Sequence, residues 1–165
     1  MKLGKTVQDA LNEQLNQEFF ADYLYLAMAV WFKANNFQGM AQWMLMQSDE
    51  EFAHGMKFLD YVHDREGRVT LKAIPQPPAD FKSPLDAFQQ ALEHERKVSA
   101  MIQKHMDLAV KEKDYATQGF LQWFLVEQVE EEKVAATIVE QLRMVEGQGA
   151  GLLMMDRSLG ERAKK

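Results

Sequence analysis

Apolar residues recur at three- and four-residue steps along four long stretches of the chain, the period of helices that each bury one face. The first inward stripe reads Leu11, Leu15, Glu18, Asp22, Tyr25, Ala29 and Phe32. The second reads Met40, Met44, Gln47, Glu51, His54, Phe58 and Tyr61. The third reads Leu85, Phe88, Leu92, Glu95, Ser99, Ile102 and Met106, and the fourth Phe120, Phe124, Glu127, Glu131, Val134, Ile138 and Val145. Strand signals are weak throughout, so the pattern predicts an all-α chain of four helices, each of about 30 residues.

Their ends are marked in the sequence. Thr6 is placed to cap the first helix, with Asp9 favourable to its dipole, and the helix runs to Lys33 before an Asn35-Asn36 turn. The second runs from Gln38 to Glu66, with Gly67 as the left-handed residue that closes it. Ser83-Pro84 opens the third, a cap followed by a proline at the first helical position, and Asp114 caps the fourth. A short amphipathic piece, roughly Gly151 to Leu159, follows. Between the second and third helices lie sixteen residues, Arg68 to Ser83, that include Pro75, Pro77 and Pro78. Extended, they reach ~50 Å, and a 30-residue helix is ~45 Å long. The segment can therefore cross the whole bundle, lying against it or against a neighbouring subunit, whereas the short flanking turns force antiparallel pairs. The predicted topology is up, down, long crossover, down, up, in one domain spanning 1–165.

Each stripe is apolar at its ends and acidic near its middle. Glu18, Glu51, His54, Glu95, Glu127, Glu130 and Glu131 fall on or beside the stripes, with no Lys or Arg sharing them nearby. A buried carboxylate without a partner costs several kcal/mol, so such a cluster calls for a multivalent cation. From the helical rise, Glu18 stands roughly 17 Å along the bundle, Glu51 and His54 roughly 18–22 Å, Glu95 near 26 Å and Glu131 near 24 Å. All can share one layer. Glu51 and His54, one turn apart, form with Glu18 a mixed oxygen and nitrogen set that suits Fe(II), Mn(II) or Zn(II) over Ca(II) or Mg(II). The second oxygen of Glu51 is free to bridge to another ion held by Glu95 and Glu131. Glu50, Glu127 and Glu130 lie just off the seam, where a third site would share Glu131. Asp22 stays outside this set. His63, His94 and His105 read as surface or locally hydrogen-bonded residues, and most of the eleven methionines as core filler.

Composition narrows the class. The chain has 165 residues, 47% of them apolar, and a net charge of −6. That balance argues against a nucleic-acid surface and favours cations. Cysteine is absent, which excludes disulfides and thiolate metal sites. The longest apolar run, Tyr23 to Phe32, has ten residues, about half of the ~20 a membrane helix needs. With no signal-peptide pattern at the amino terminus, a cytoplasmic protein is expected.

In the runs Leu11-Asn12-Glu13-Gln14-Leu15-Asn16-Gln17-Glu18, Tyr23-Leu24-Tyr25, Glu50-Glu51-Phe52-Ala53-His54, Ile74-Pro75-Gln76-Pro77-Pro78, His94-Glu95, Phe120-Leu121-Gln122-Trp123-Phe124 and Glu127-Gln128-Val129-Glu130-Glu131-Glu132, the chain resembles the non-haem ferritins of bacteria and archaea. The resemblance extends from Leu11 to Leu159 and implies a ferritin-like four-helix bundle with a short fifth helix near fourfold axes. It implies a ferroxidase that stores ferric mineral in a cage of twenty-four subunits, with dioxygen or hydrogen peroxide as oxidant. Glu18, Glu51 and His54 would take the first iron, and Glu51, Glu95 and Glu131 the second. Gln128 would hydrogen-bond near that centre, and Tyr25 would sit beside it as hydrogen-bond or electron donor. Glu50, Glu127, Glu130 and Glu131 would form an accessory third iron site. Val134 stands where bacterioferritins and rubrerythrins carry a second metal-binding histidine, and Phe52 falls near the haem-ligating methionine of bacterioferritins, so no haem is expected. Two other readings compete with storage: a di-metal oxygenase acting on an organic substrate, and a helical scaffold with a vestigial metal site.

Overall fold

The computed structural model describes residues 1–162; the last three residues of the expected domain lie outside that range. Five helices account for its regular structure: α1 (Lys5–Ala34), α2 (Gln38–Asp64), α3 (Pro84–Lys111), α4 (Tyr115–Met144) and α5 (Gly149–Gly160). Ring contacts give the directions of the four long ones. Phe32, at the end of α1, and Trp43, at the start of α2, both meet Phe88 at the start of α3, at 5.7 and 5.2 Å. Tyr61, at the end of α2, stacks on Phe120 at the start of α4 at 4.0 Å. Hence α1 and α4 run one way, and α2 and α3 the other, as predicted.

The helix ends refine the sequence reading. Ser83 accepts from the Asp86 amide at 3.1 Å and Asp114 from the Thr117 amide at 3.0 Å, so both expected caps form. Thr6 does not cap: α1 begins at Lys5 behind Gly4, without a side-chain cap. The cause is tertiary. Leu3 is buried, and its amide donates to the Arg65 carbonyl at 2.9 Å, which draws the chain start onto the end of α2. Nor is Gly67 the left-handed residue after α2; Glu66 is, at φ 56°. The Gly67 amide reaches the Val62 carbonyl at 2.8 Å and the Glu66 amide that of His63 at 2.9 Å, a Schellman closure. Gly67 is small for a different reason, since a Cβ there would stand 2.8 Å from the Val62 carbonyl oxygen.

The crossover is held by a ladder of side-chain amides on α1. Gln8 Oε1 accepts from the Arg68 amide at 2.9 Å. Asn12 donates to the Arg68 carbonyl at 2.9 Å and accepts from the Thr70 amide at 2.7 Å. Asn16 repeats this with the Thr70 carbonyl at 2.8 Å and the Lys72 amide at 2.7 Å. Four helical residues rise about 6 Å, nearly the advance of two extended ones, about 6.6 Å. Amides spaced by four on a helix therefore stay in step with every second residue of an extended chain. Further on, Phe81 is buried against Trp31, ring centres 5.7 Å apart.

Inside the bundle the apolar core is divided in two. One cluster, including Met28, Phe32, Met44, Phe88 and Ile138, fills the end where α1 finishes; the other, including Leu11, Leu15, Phe58, Ile102 and Phe124, fills the opposite end. Between them lies a buried polar layer drawn from all four long helices.

Candidate metal centre

That layer contains five of the predicted ligands. Glu18, Glu51, His54, Glu95 and Glu131 are each at most 6% exposed. One ligand atom from each of Glu18, Glu51 and His54 lies within 4.8 Å of the others. His54 Nδ1 stands 3.4 Å from Glu51 Oε2 and 3.9 Å from Glu18 Oε2. Helical geometry sets this up: Glu51 and His54 project from one face of α2, one turn apart, toward Glu18 on the antiparallel α1. The edges of Trp123 and Phe124 hold the His54 ring, with centres 5.5 and 5.8 Å away.

The other half of the layer is tied together by hydrogen bonds. Tyr25 donates to Glu95 Oε1. Gln128 Nε2 donates to Glu95 Oε2 at 3.1 Å and to Ser99 Oγ at 3.3 Å. Gln47 Nε2 joins the halves, donating to Glu51 Oε1 at 3.1 Å and to Glu131 Oε2 at 2.9 Å. Gln14 donates to Glu18 Oε1 at 2.6 Å, whereas Glu18 Oε2 is buried with no hydrogen-bond partner. A buried carboxylate oxygen left open beside an imidazole and a second carboxylate fits a cation's requirement for acceptors.

Burial and crowding of carboxyl groups set the electrostatics of this layer. Burial, followed by the Glu51 charge, pushes the Glu18 carboxyl well above its ordinary value and that of Glu95 to about 8. Burial, then Glu95, raises the Tyr25 phenol. Burial would also raise Glu51, but the hydrogen bond and charge of His54 outweigh it and hold the carboxyl low. His54 is raised in turn, since its bond to Glu51 overcomes the effect of burial.

Several sequence expectations shift. The fourth stripe is turned by about one residue: Leu121, Phe124, Gln128, Glu131, Ala135 and Ile138 are buried. Glu127, Phe120, Val134 and Val145 are half-buried, and Glu130 is exposed. The hydrogen bonds of Gln128 to Glu95 and Ser99 of α3 lie on this buried face. Asp22 is not idle, for its carboxylate accepts from Ser48 Oγ at 2.5 Å and links α1 to α2. His105 is buried rather than on the surface and His94 is half-buried, each with a buried Nε2 that lacks a hydrogen-bond partner. Burial lowers both imidazoles toward the neutral form. Glu50, of the expected accessory site, accepts from Arg162 Nη2 at 2.7 Å.

The roles of Gln14 and Gln47 were missed by the sequence reading, although the signal was present: each precedes a ligand glutamate by four residues. Arg162 gave no such sign.

Comparison with known proteins agrees with this geometry. Residues 8–145 match the Ferritin-like domain family. A bacterial non-heme ferritin of Staphylococcus saprophyticus is 40% identical over 161 residues, covering 98% of this chain and 96% of its own. One from Bacteroides fragilis is 39% identical over 160 residues, covering 97% and 99%. Among solved structures, a ferritin of the archaeon Archaeoglobus fulgidus engineered into a closed form superposes with a TM-score of 0.98 at 43% identity, covering 99% of this chain and 100% of that one. The open-pore ferritin of the same archaeon gives 0.97 at 42%, covering 98% and 100%. A carboxylate-rich layer inside such a bundle, matched across nearly the whole chain, leads to one family: this chain belongs to the non-haem ferritins.

Proposed function

We propose that this chain is an iron-storage ferroxidase that oxidises Fe(II) in the buried polar layer and passes Fe(III) to the interior of a homo-oligomeric cage. Iron storage is the function that goes with the ferritin family. The observation that supports this centre is the preformed triad of Glu18, Glu51 and His54, with its open Glu18 Oε2.

Fe(II) is substrate here. Glu18, Glu51 and His54 would hold the first ion, and Glu95 and Glu131 the second, with Glu51 reaching both. Two Fe(II) each give up one electron. With dioxygen and two protons this yields two Fe(III) and hydrogen peroxide; with hydrogen peroxide and two protons it yields two Fe(III) and two waters. Gln14, Gln47, Gln128 and Tyr25 hold the carboxylates by donating to them, so little rearrangement is needed when cations arrive. Cations replace protons on Glu18 and Glu95, so iron binding releases protons and weakens in acid.

Glu50, Glu127, Glu130 and Glu131 are proposed as the accessory third site; a third ion there competes with Arg162 for Glu50. Twenty-four subunits closing into a cage is the proposed assembly, with the apolar, exposed Leu153 and Met154 of α5 available to neighbouring copies. Among the described residues no helix is long and apolar enough to cross a membrane, and a cytoplasmic location is proposed.

Aerobic Fe(II) addition followed by size-exclusion chromatography tests this reading. A large particle that takes up oxygen and turns amber is expected. Replacing Glu51 and His54 together by alanine is expected to reduce the initial oxidation rate at least about 100-fold, from the usual weight of metal ligands and their partners, with particle size unchanged. An unchanged initial rate would remove the centre from these residues.

A further inference from the structure

The chain returns to its own metal centre at its far end. Arg162, just beyond α5, lies along one face of α2 across two turns. Its guanidinium stands 4.7 Å from the centre of the Trp43 ring, Nη1 donates to Gln47 Oε1 at 3.0 Å, and Nη2 donates to Glu50 Oε2 at 2.7 Å. Both ends of the contact with Glu50 are largely buried, at 16% and 18% exposure. Gln47 is itself fully buried, and its Nε2 donates to Glu51 and Glu131. The route Arg162–Gln47–Glu51/Glu131 therefore runs from the carboxyl-terminal end of the chain to a carboxylate of each half of the centre.

A guanidinium only donates, whereas a side-chain amide carries an acceptor at one end and donors at the other. Arg162 can bond only the oxygen of Gln47, and so turns the amide nitrogen toward the carboxylates. Its charge also polarises the amide, strengthening the two bonds on the far side. We infer that Arg162 is a positioning residue of the di-metal centre, setting the Glu51 and Glu131 carboxylates through the Gln47 amide. The inference rests on the proposed centre and adds to it a dependence on the chain's carboxyl-terminal arm.

The test is anaerobic Co(II) binding to the intact assembly, read by calorimetry and by the ligand-field absorption of the bound ion, alongside thermal unfolding. Metal-site hydrogen-bond partners are commonly worth about 10–100-fold in affinity. Arg162 acts one link further out, so Arg162→Ala is expected to weaken binding roughly 3- to 10-fold and to alter the absorption. Arg162→Lys should recover part of the loss, because an ammonium reaches one acceptor well but lacks the planar fork that serves both. In a Gln47→Leu background, Arg162→Ala should have no further effect.

Wild-type affinity and absorption in Arg162→Ala would overturn the inference. So would an undiminished effect in the Gln47→Leu background, which would assign the loss to docking of α5 rather than to the Gln47 amide. A wild-type protein that binds no Co(II) would remove the proposed centre itself, whereas wild-type binding with an indifferent Arg162→Ala removes only this inference.

Discussion

A carboxyl group buried among carboxylates keeps its proton, and Glu95 does so up to about 8 because burial and the Glu51 charge both oppose ionisation. In the metal-free protein this couples folding to pH. Below the ordinary carboxyl value near 4.5 the folded and unfolded chains both carry the proton. Between there and about 8 the unfolded chain releases it and the folded chain does not. Stability therefore falls as pH rises through that window, by up to ~1.4 kcal/mol per unit for one such group. Glu18 and His54, also raised, act in the same direction. Glu51, lowered, acts oppositely, its contribution being lost as pH falls below the ordinary carboxyl value. Thermal unfolding of the chelator-treated protein is expected to show a lower midpoint at pH 8 than at pH 5.5, and Glu95→Gln is expected to flatten that slope. A midpoint that rises over this range would contradict the assignment. At this scale much was legible: Glu18, Glu51, His54, Glu95 and Glu131 were identified by acidity on an apolar stripe. Gln14 and Gln47 received no role because a neutral amide on a helix fits a surface or a core reading equally well.

Among the elements, the crossover and α5 are fixed by contacts distant in sequence. Asn12→Ala removes two hydrogen bonds from the amide ladder. At about 1 kcal/mol each, the expected loss is about 2 kcal/mol, with faster hydrogen exchange at the Thr70 amide. The helix start of α2 has no cap of its own, yet Asp156 of α5 accepts from the Met40 amide at 2.8 Å. Gly39 makes that approach possible, because a Cβ there would fall 1.7 Å from the Asp156 carbonyl oxygen. Gly39→Ala should lift α5 from α2, raising hydrogen exchange through residues 149–160 while α1 to α4 keep their protection. Protection of α5 equal to wild type would count against this packing. Sequence reading placed the helices within a few residues. It could not place Gly67 or Thr6 correctly, because the capping options at those positions are locally equivalent and Leu3 and Val62 decide between them.

For the whole molecule, two apolar clusters clamp a layer in which burial and neighbouring charge oppose the ionisation of Glu18 and Glu95, so the fold is held together at its ends and strained at its middle. A cation that binds only the folded form relieves that strain. At a concentration 100 times its dissociation constant it contributes about 2.7 kcal/mol per site. Zn(II) or Co(II) is therefore expected to raise the unfolding midpoint of the chelator-treated protein, and the Glu51→Ala, His54→Ala double variant to lose most of that rise. An equal rise in the variant would mean that the stabilising ions bind elsewhere.

By itself the sequence determined the helices, their antiparallel pairing, the reach of the crossover and the height at which the acids meet. Each of these follows from a fixed rise per residue and a fixed period, which act locally. Tertiary structure alone decided which face of α4 points inward, how Asn12 and Asn16 tie down an extended strand, and that Asp156 and Arg162 serve a helix more than a hundred positions away. Those outcomes depend on which groups arrive together in space, and no local spacing along the chain encodes that meeting.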